Sequence, residues 1–485
     1  MFGSSRCFCI LCAIVAGILT LLMLLGKPQA ALGQDKPVSF VNDVAPILKE
    51  NCFACHDAKK RSGKLDMTTF EKFMQGGQSD SPVTAGKPDE SYLLELVAAE
   101  GGKRMPPEGK GQHLNKEQIS TIERWIRQGT KLDAGVDPKA DLVRELRLRW
   151  KPPAPPAAYP YPAIVNALAF TPDNAKIVAG GQHELTVWDA NSAKLEKRIY
   201  TRAERAYGMV FLPDGKLVVA GGRPGQEGDL RVYDINGPAK TENGVSILNG
   251  VDDPKVMLKQ LLDAEDSVLA LALSPDGKKL AAGGCDRIVR VWDVSGGYAS
   301  AKLEQSIENH ADWILGIALA ADDKHLLTAS RDKTAKVWDL AAKESVMTFP
   351  DHQNPVYAVA VKADSKLGYS AGDDKQLRTW NAVADGKQVR AIGGHGDAIL
   401  KLVAHPKQPL LITASADKTV RVWNADSGAA VRTLNGLSDQ VFALAVSPDG
   451  NLVAAGSYAG EVSIWKMADG TVVKAFIASP GYAKK

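Results

Sequence analysis

Leu327-Thr328-Ala329-Ser330-Arg331-Asp332-Lys333-Thr334-Ala335-Lys336-Val337-Trp338-Asp339 returns almost unchanged as Ile412-Thr413-Ala414-Ser415-Ala416-Asp417-Lys418-Thr419-Val420-Arg421-Val422-Trp423-Asn424. A small-residue strand, a turn built on Asp, and an alternating strand closed by an aromatic make up this unit. An apolar strand and a Pro-Asp-Gly-like turn precede it. From Ile164 onward the pattern repeats about every 43 residues, with endings at Trp188, Tyr233, Trp292, Trp338, Trp380, Trp423 and Trp465. Seven units with four short strands each are the mark of a radial β-propeller, in which no unit can bury its own apolar face alone.

The intervals between endings are 45, 59, 46, 42, 43 and 42 residues, so one unit carries an insertion, placed between Gly237 and Asp263 at a blade edge. Trp188-Asp189, Trp292-Asp293 and Trp338-Asp339 resemble the WD-repeat family, whereas Tyr233-Asp234, Trp380-Asn381, Trp423-Asn424 and Trp465-Lys466 depart from it. The resemblance implies a structural hydrogen-bond tetrad at His310, Ser330, Asp332 and Trp338, and at His395, Ser415, Asp417 and Trp423. It is partial at His352, Asp374 and Trp380. These histidines read as buried staples rather than ligands, since a buried imidazole with paired partners is a satisfied core group. The first, second and last blades lack the tetrad histidine. Ile164 begins an inner strand and residues 471–476 supply an outer one, so ring closure rests on side-chain packing unless Ala157–Ala163 adds an edge strand.

Upstream, Pro152 to Pro162 holds six prolines in eleven residues, a stiff linker reaching about 34 Å if extended. Before it, a short charged helix runs from Pro138 to Arg149 with Asp137 as its cap and Pro138 in the first turn. Residues 36 to about 135 read as a small helical domain. Val41, Val44, Ile47 and Leu48 recur at helical spacing. A later helix opens on Asn115 with Gln118 three residues on, lines one face with Ile119, Ile122, Trp125 and Ile126, and stops at Gly129.

The first of these helices delivers its end to Cys52-Phe53-Ala54-Cys55-His56. Cys-x-x-Cys-His is the spacing of covalent haem c attachment: each thiol adds to a vinyl group, and the imidazole reaches the iron as proximal ligand. A zinc site would need two more ligands, and beyond the leader only Cys285 remains, in a different repeat. A thioredoxin-like pair would need a βαβ context, and none is visible. The distal iron ligand is expected at Met105, where Arg104-Met105-Pro106-Pro107 stiffens the backbone; His113 is its rival, with Met67 and Met74 behind. Gly63-Lys64-Leu65-Asp66, Gly76-Gly77, Ala85-Gly86-Lys87-Pro88, Ser91-Tyr92-Leu93-Leu94, Met105-Pro106-Pro107 and Trp125-Ile126 follow the haem motif in order and resemble the planctomycete-type cytochrome c domain. That resemblance implies one covalent haem between His56 and Met105.

The chain opens with a leader: Cys7 to Leu25 is apolar except for Thr20, long enough at about 28 Å to anchor in a membrane. Ala31 and Gly33 suit a signal-peptidase cut before Gln34. The expected plan is a signal peptide or anchor over 1–33, an all-α c-type cytochrome domain over 34–135, a short helix and Pro-rich linker over 136–162, and an all-β seven-bladed propeller over 163–485. A net charge of +3 with 24% charged residues gives no bias toward nucleic acid. Asp214, Asp276, Asp323 and Asp449 occupy turns where Asp serves the backbone, and the Gly-rich stretch Gly221–Gly228 joins strands, so neither marks catalysis. The expectation is an exported electron carrier, periplasmic or on the outer face of the membrane, whose propeller docks a redox or scaffold protein. The alternative is a haem-dependent oxidoreductase with a substrate site in the propeller channel.

Overall fold

A computed structural model describes residues 36–79, 81–382 and 385–482; the leader, 1–33, lies outside them. The chain divides into two compact units at Trp150 and Lys151.

In the first unit, Ser39 caps a helical turn at Phe40–Val44 that runs directly into α1, Ala45–Asn51. Helices α2 (Phe70–Gln75), α3 (Tyr92–Ala98), α4 (Lys116–Arg127) and α5 (Leu142–Arg149) follow. The Asn115–Gln118 pair forms a reciprocal capping box on α4, satisfying two otherwise orphaned N–H groups. Gly129 ends that helix at φ 94°, a left-handed conformation that suits glycine. The expected apolar faces converge: Phe40, Val44, Leu48, Phe73, Ile122 and Trp125 are buried together, with the Phe40 and Trp125 ring centroids 5.1 Å apart. Helix α5 starts later than the sequence predicts. Its cap is Asp141, which accepts from the Arg144 N–H at 2.9 Å, while Asp137 instead holds a preceding turn through the Lys139 N–H. Leu142 closes over the same core, and its N–H donates to the Thr68 carbonyl at 2.8 Å.

The second unit is a ring of seven antiparallel blades. Blade one runs from Leu168–Phe170 on the inside to Leu195–Tyr200, and blade seven ends with Val472–Ile477 as its own outer strand. Among the described residues no strand is shared between the chain ends, and Ala157–Ala163 adds none. Closure uses packing and a strap instead. Trp188 meets Phe476 at 4.9 Å between centroids, the Tyr159 N–H donates to the Pro480 carbonyl, and the Ala163 N–H to Ser479 Oγ. The proline-rich segment is therefore seated on the propeller: Arg198 donates to the Pro156 carbonyl at 2.8 Å, and Tyr159 donates to Glu184 Oε1 at 2.6 Å. The insertion is a hairpin, Lys240–Glu242 and Val245–Asn249, and it crosses to blade one, where its second strand pairs parallel with Leu195–Tyr200.

Blades four, five and six each contain a complete staple, with one correction to the expected residues. The hydroxyl is Thr328, Ser370 or Thr413, not Ser330 or Ser415. His310 joins Asp332 at 2.8 Å and Thr328 Oγ1 at 2.6 Å, and Trp338 donates to the same hydroxyl at 2.8 Å. His352 with Ser370, Asp374 and Trp380 completes the blade expected to be partial. Register explains the shift: Trp338 sits opposite Leu326, so the diagonal neighbour on that face is Thr328. Ser330 lies two residues further and donates to the Asp312 carbonyl.

Blades one and two carry buried ion pairs instead. Glu184, 1% exposed, takes two hydrogen bonds from Arg198 at 2.6 and 3.0 Å. Glu227 accepts from both Arg202 and Arg223, and Asp229 touches Arg231 at 2.7 Å without an aligned hydrogen bond. The turn carboxylates do serve the backbone: Asp276 accepts from the Lys278 N–H and Asp449 from the Asn451 N–H. In blade four Asp322 takes that role, while Asp323 adopts φ 59°.

Candidate haem site

Helix α1 ends at Cys52, whose N–H still reaches the Leu48 carbonyl at 2.8 Å. The Cys55 and His56 N–H groups both return to the Cys52 carbonyl at 3.1 Å, so the motif folds as one more helical turn. Residues three and four apart on such a turn lie on one face, which brings Cys52, Cys55 and His56 together. A loop then wraps back on them, with Ser62 donating to the Cys55 carbonyl and Met67 to that of His56. Asn and Asp side chains commonly pin such turns. Here Asp57 accepts from the Lys59 and Lys60 N–H groups, at 2.8 and 2.6 Å. Gly77 is required for a close approach, since a Cβ there would sit 2.5 Å from the Gly63 carbonyl oxygen. Asp66 is buried, which alone would favour its neutral form. Hydrogen bonds from Thr68 and Lys72 outweigh the burial and hold it below the usual carboxylate range.

Neither cysteine is in a disulfide, and both are half-buried. Burial, reinforced by the neighbouring Cys55, pushes the Cys52 thiol up to about 12. Burial likewise lowers the His56 pKa, against smaller opposing contributions from the Ser62 and Leu65 backbone, so the imidazole is neutral at pH 7. Its Nδ1 is buried with no hydrogen-bond partner. Two thiols on one turn beside a neutral imidazole match the donor set that haem c attachment requires. Phe53 and Met67 are buried in the adjoining core, and Cys52 and Leu65 pack against it.

Met105 stands apart from that core. Its N–H is fixed to the Leu96 carbonyl at 3.0 Å, but its side chain is 37% exposed. Core filling therefore does not account for it. The rival His113 is also exposed, whereas Met67 is fully buried and Met74 packs against the core. Cys285 follows a strand of blade three and is half-buried; burial first, then Asp266 and Asp286, push its thiol up to about 12.

Residues 52–109 match the Planctomycete cytochrome C family, and residues 257–293, 301–339, 343–381, 386–424 and 428–466 each match the WD domain, G-beta repeat. The chain thus joins a helical unit that matches the Planctomycete cytochrome C family to a seven-bladed propeller in which five segments match the WD repeat. Among curated proteins it is similar to Protein groucho of Drosophila melanogaster, 26% identical over 27% of this chain. It is also similar to Transcription factor unc-37 of Caenorhabditis elegans, again 26% over 27%, and to THO complex subunit 3 of Arabidopsis thaliana, 32% over 37%. The matches span 16%, 18% and 64% of those relatives' own lengths.

Sequence pattern located the capping box directly, and it singled out the Cys52–His56 segment that the structure folds as one turn. It missed the staple hydroxyls and the buried ion pairs of blades one and two. The hydroxyls could have been found by counting strand register back from each Trp.

Proposed function

We propose that this protein is an exported c-type cytochrome carrying one covalent haem, with its propeller as the docking platform for a redox or scaffold protein. Cys52 and Cys55 would hold the haem through thioether bonds, and His56 and Met105 would supply its iron ligands. When bound, that group supplies one-electron oxidation and reduction. The observation that carries the reading is the single turn that gathers two cysteines beside a neutral His56. The loop from Asp57 to Met67 keeps that turn in place, and Leu65 and Met67 supply apolar surface beside it. An exposed thioether on a proline-stiffened segment suits the role of an iron ligand. Export follows from the haem reading together with the apolar leader, since haem is attached to such motifs outside the bacterial cytoplasm. A rigid ring with a varied polar surface supports the docking role, as does the use of WD repeats as interaction modules.

Expression of the full chain in cells that attach haem c tests this. One haem mass retained after denaturation is expected, lost in Cys52→Ser/Cys55→Ser, together with recovery in the periplasmic or membrane fraction. Met105→Ala should lower the midpoint potential, because thioether ligation raises it. Chain recovered without covalent haem sinks the reading, and an unchanged potential in Met105→Ala removes that ligand from it.

A further inference from the structure

Seven inner strands contact one another around the ring, and their register aligns them position by position. At one position six blades hold only Ala or Gly: Ala167, Gly208, Ala270, Gly316, Ala358 and Ala443. Blade six holds Lys401, opposite Ala414. The small residues are needed there. A Cβ at Gly208 would lie 2.8 Å from Leu271 Cβ in the next blade, and one at Gly316 would lie 2.9 Å from the Tyr357 carbonyl oxygen. The position is a point where adjacent inner strands touch, so the long side chain of Lys401 must leave it toward the open centre of the ring. It keeps partial solvent contact, yet burial lowers its pKa with no charged group opposing. Among the described residues no carboxylate lies in ion-pair reach of its amine. Immediately before it in the strand, the inner strands of blades two to seven each bulge out one half-buried residue, Tyr207, Leu269, Leu315, Tyr357, Leu400 and Phe442, while blade one has Asn166 at that place.

A lysine in a walled space without a counter-charge is costly, and an apolar collar beside it defines what would offset that cost. We propose that the ring holds a binding site for a small organic carboxylate, its head on the Lys401 ammonium and its apolar body against the collar of bulged residues. The site is independent of the haem. A convergent polar group among apolar walls is the usual composition of a small-molecule pocket, and a charge-assisted hydrogen bond to an enclosed ammonium is stronger than a neutral one.

Calorimetry on the full-length protein with benzoate, hexanoate and the neutral isostere benzamide tests it. Benzoate or hexanoate should bind with one-to-one stoichiometry, and benzamide at least tenfold more weakly than benzoate. Lys401→Met should lose carboxylate binding at least tenfold, while Lys401→Arg retains it. Carbon-13 dimethylation of the lysines gives a second readout by NMR: the Lys401 resonance should titrate at higher pH when the carboxylate is bound. Lys401→Met should be at least as resistant to urea as the parent, since it removes an uncompensated charge. Neither acid binding at millimolar concentration, equal binding to Lys401→Met, or a Lys401→Met protein less stable than the parent would each overturn the proposal.

Discussion

Blades four to six and blades one and two meet the demand for polar groups inside a propeller with different chemistry. In the former, a single hydroxyl is shared by an imidazole and an indole, and an aspartate sits at the accessible end. In the latter, full charges are buried against one another, as at Glu184 with Arg198. A shared neutral hydroxyl loses little when water is removed, so it staples at low desolvation cost. A buried ion pair recovers its desolvation only while both members are present. The difference teaches that the repeat specifies geometry, and that each blade is free to choose the chemistry filling it. Blade three, with Ala264 at the tetrad position, uses neither device there.

The largest effect is expected where a charge is orphaned. Arg198→Met leaves Glu184 buried and unpaired and should cost about 3–5 kcal/mol in urea unfolding, with Glu184→Gln/Arg198→Met recovering part of the loss. A single mutant within about 1 kcal/mol of the parent would erase the contrast between the two groups of blades. Next, Thr413→Val strips the hydroxyl from both His395 and Trp423 and should cost about 1–3 kcal/mol, more than Ser415→Ala; the reverse order would return the staple to Ser415.

Acid sharpens the comparison further. Asp374 and Asp417 are half-buried, which alone would raise them, but hydrogen bonds, led in Asp374 by His352 and in Asp417 by Thr419, bring each to about 2. Their folded pKa lies below the unfolded value near 4, so the stability they add is complete above about pH 4 and is lost as pH falls toward 2. Asp229 behaves oppositely. Complete burial, only partly offset by Arg231, raises its pKa, so its contribution is present at low pH and fades as pH rises. Unfolding midpoints across pH 5 to 2 should therefore flatten in Asp417→Asn, and an unchanged acid limb would exclude the staples as its source. The smallest effect belongs to the helical unit: Asn115→Ala removes the capping box of α4 at about 1 kcal/mol, read from melting of that unit.

Seven aromatic endings and one Cys-x-x-Cys-His spell out most of the architecture, because both are local patterns with fixed spacing. What stayed hidden depends on register or on distant partners. Ser330 and Thr328 share a strand face, and only pairing with the Trp strand distinguishes them. The hairpin at 240–249 reads as an insertion, but its parallel docking on blade one is a contact between segments some fifty residues apart. Lys401 looks like an ordinary strand lysine until six other blades are laid beside it. The turn around His56 was legible down to the residue, whereas the exposure of Met105 was not, since a proline-stiffened loop fixes backbone without fixing what covers the side chain.

The strap that closes the ring has a kinetic meaning. Ala163 and Ser479 are 316 residues apart in sequence, and bringing ends so distant together costs about 5 kcal/mol of loop entropy on the (3/2)RT ln n scaling. A propeller that splits its last blade between the two termini offsets this with a row of ladder hydrogen bonds. This one relies on a shared apolar core, in which Val165, Phe170 and Trp188 of blade one pack with Ala443, Ile464 and Phe476 of blade seven, and on a few single bonds. Closure of the ring therefore joins the segments most distant in sequence without a strand ladder between them, and hydrogen exchange at the seam between blades one and seven, expected to register opening before the blade interiors, tests that consequence.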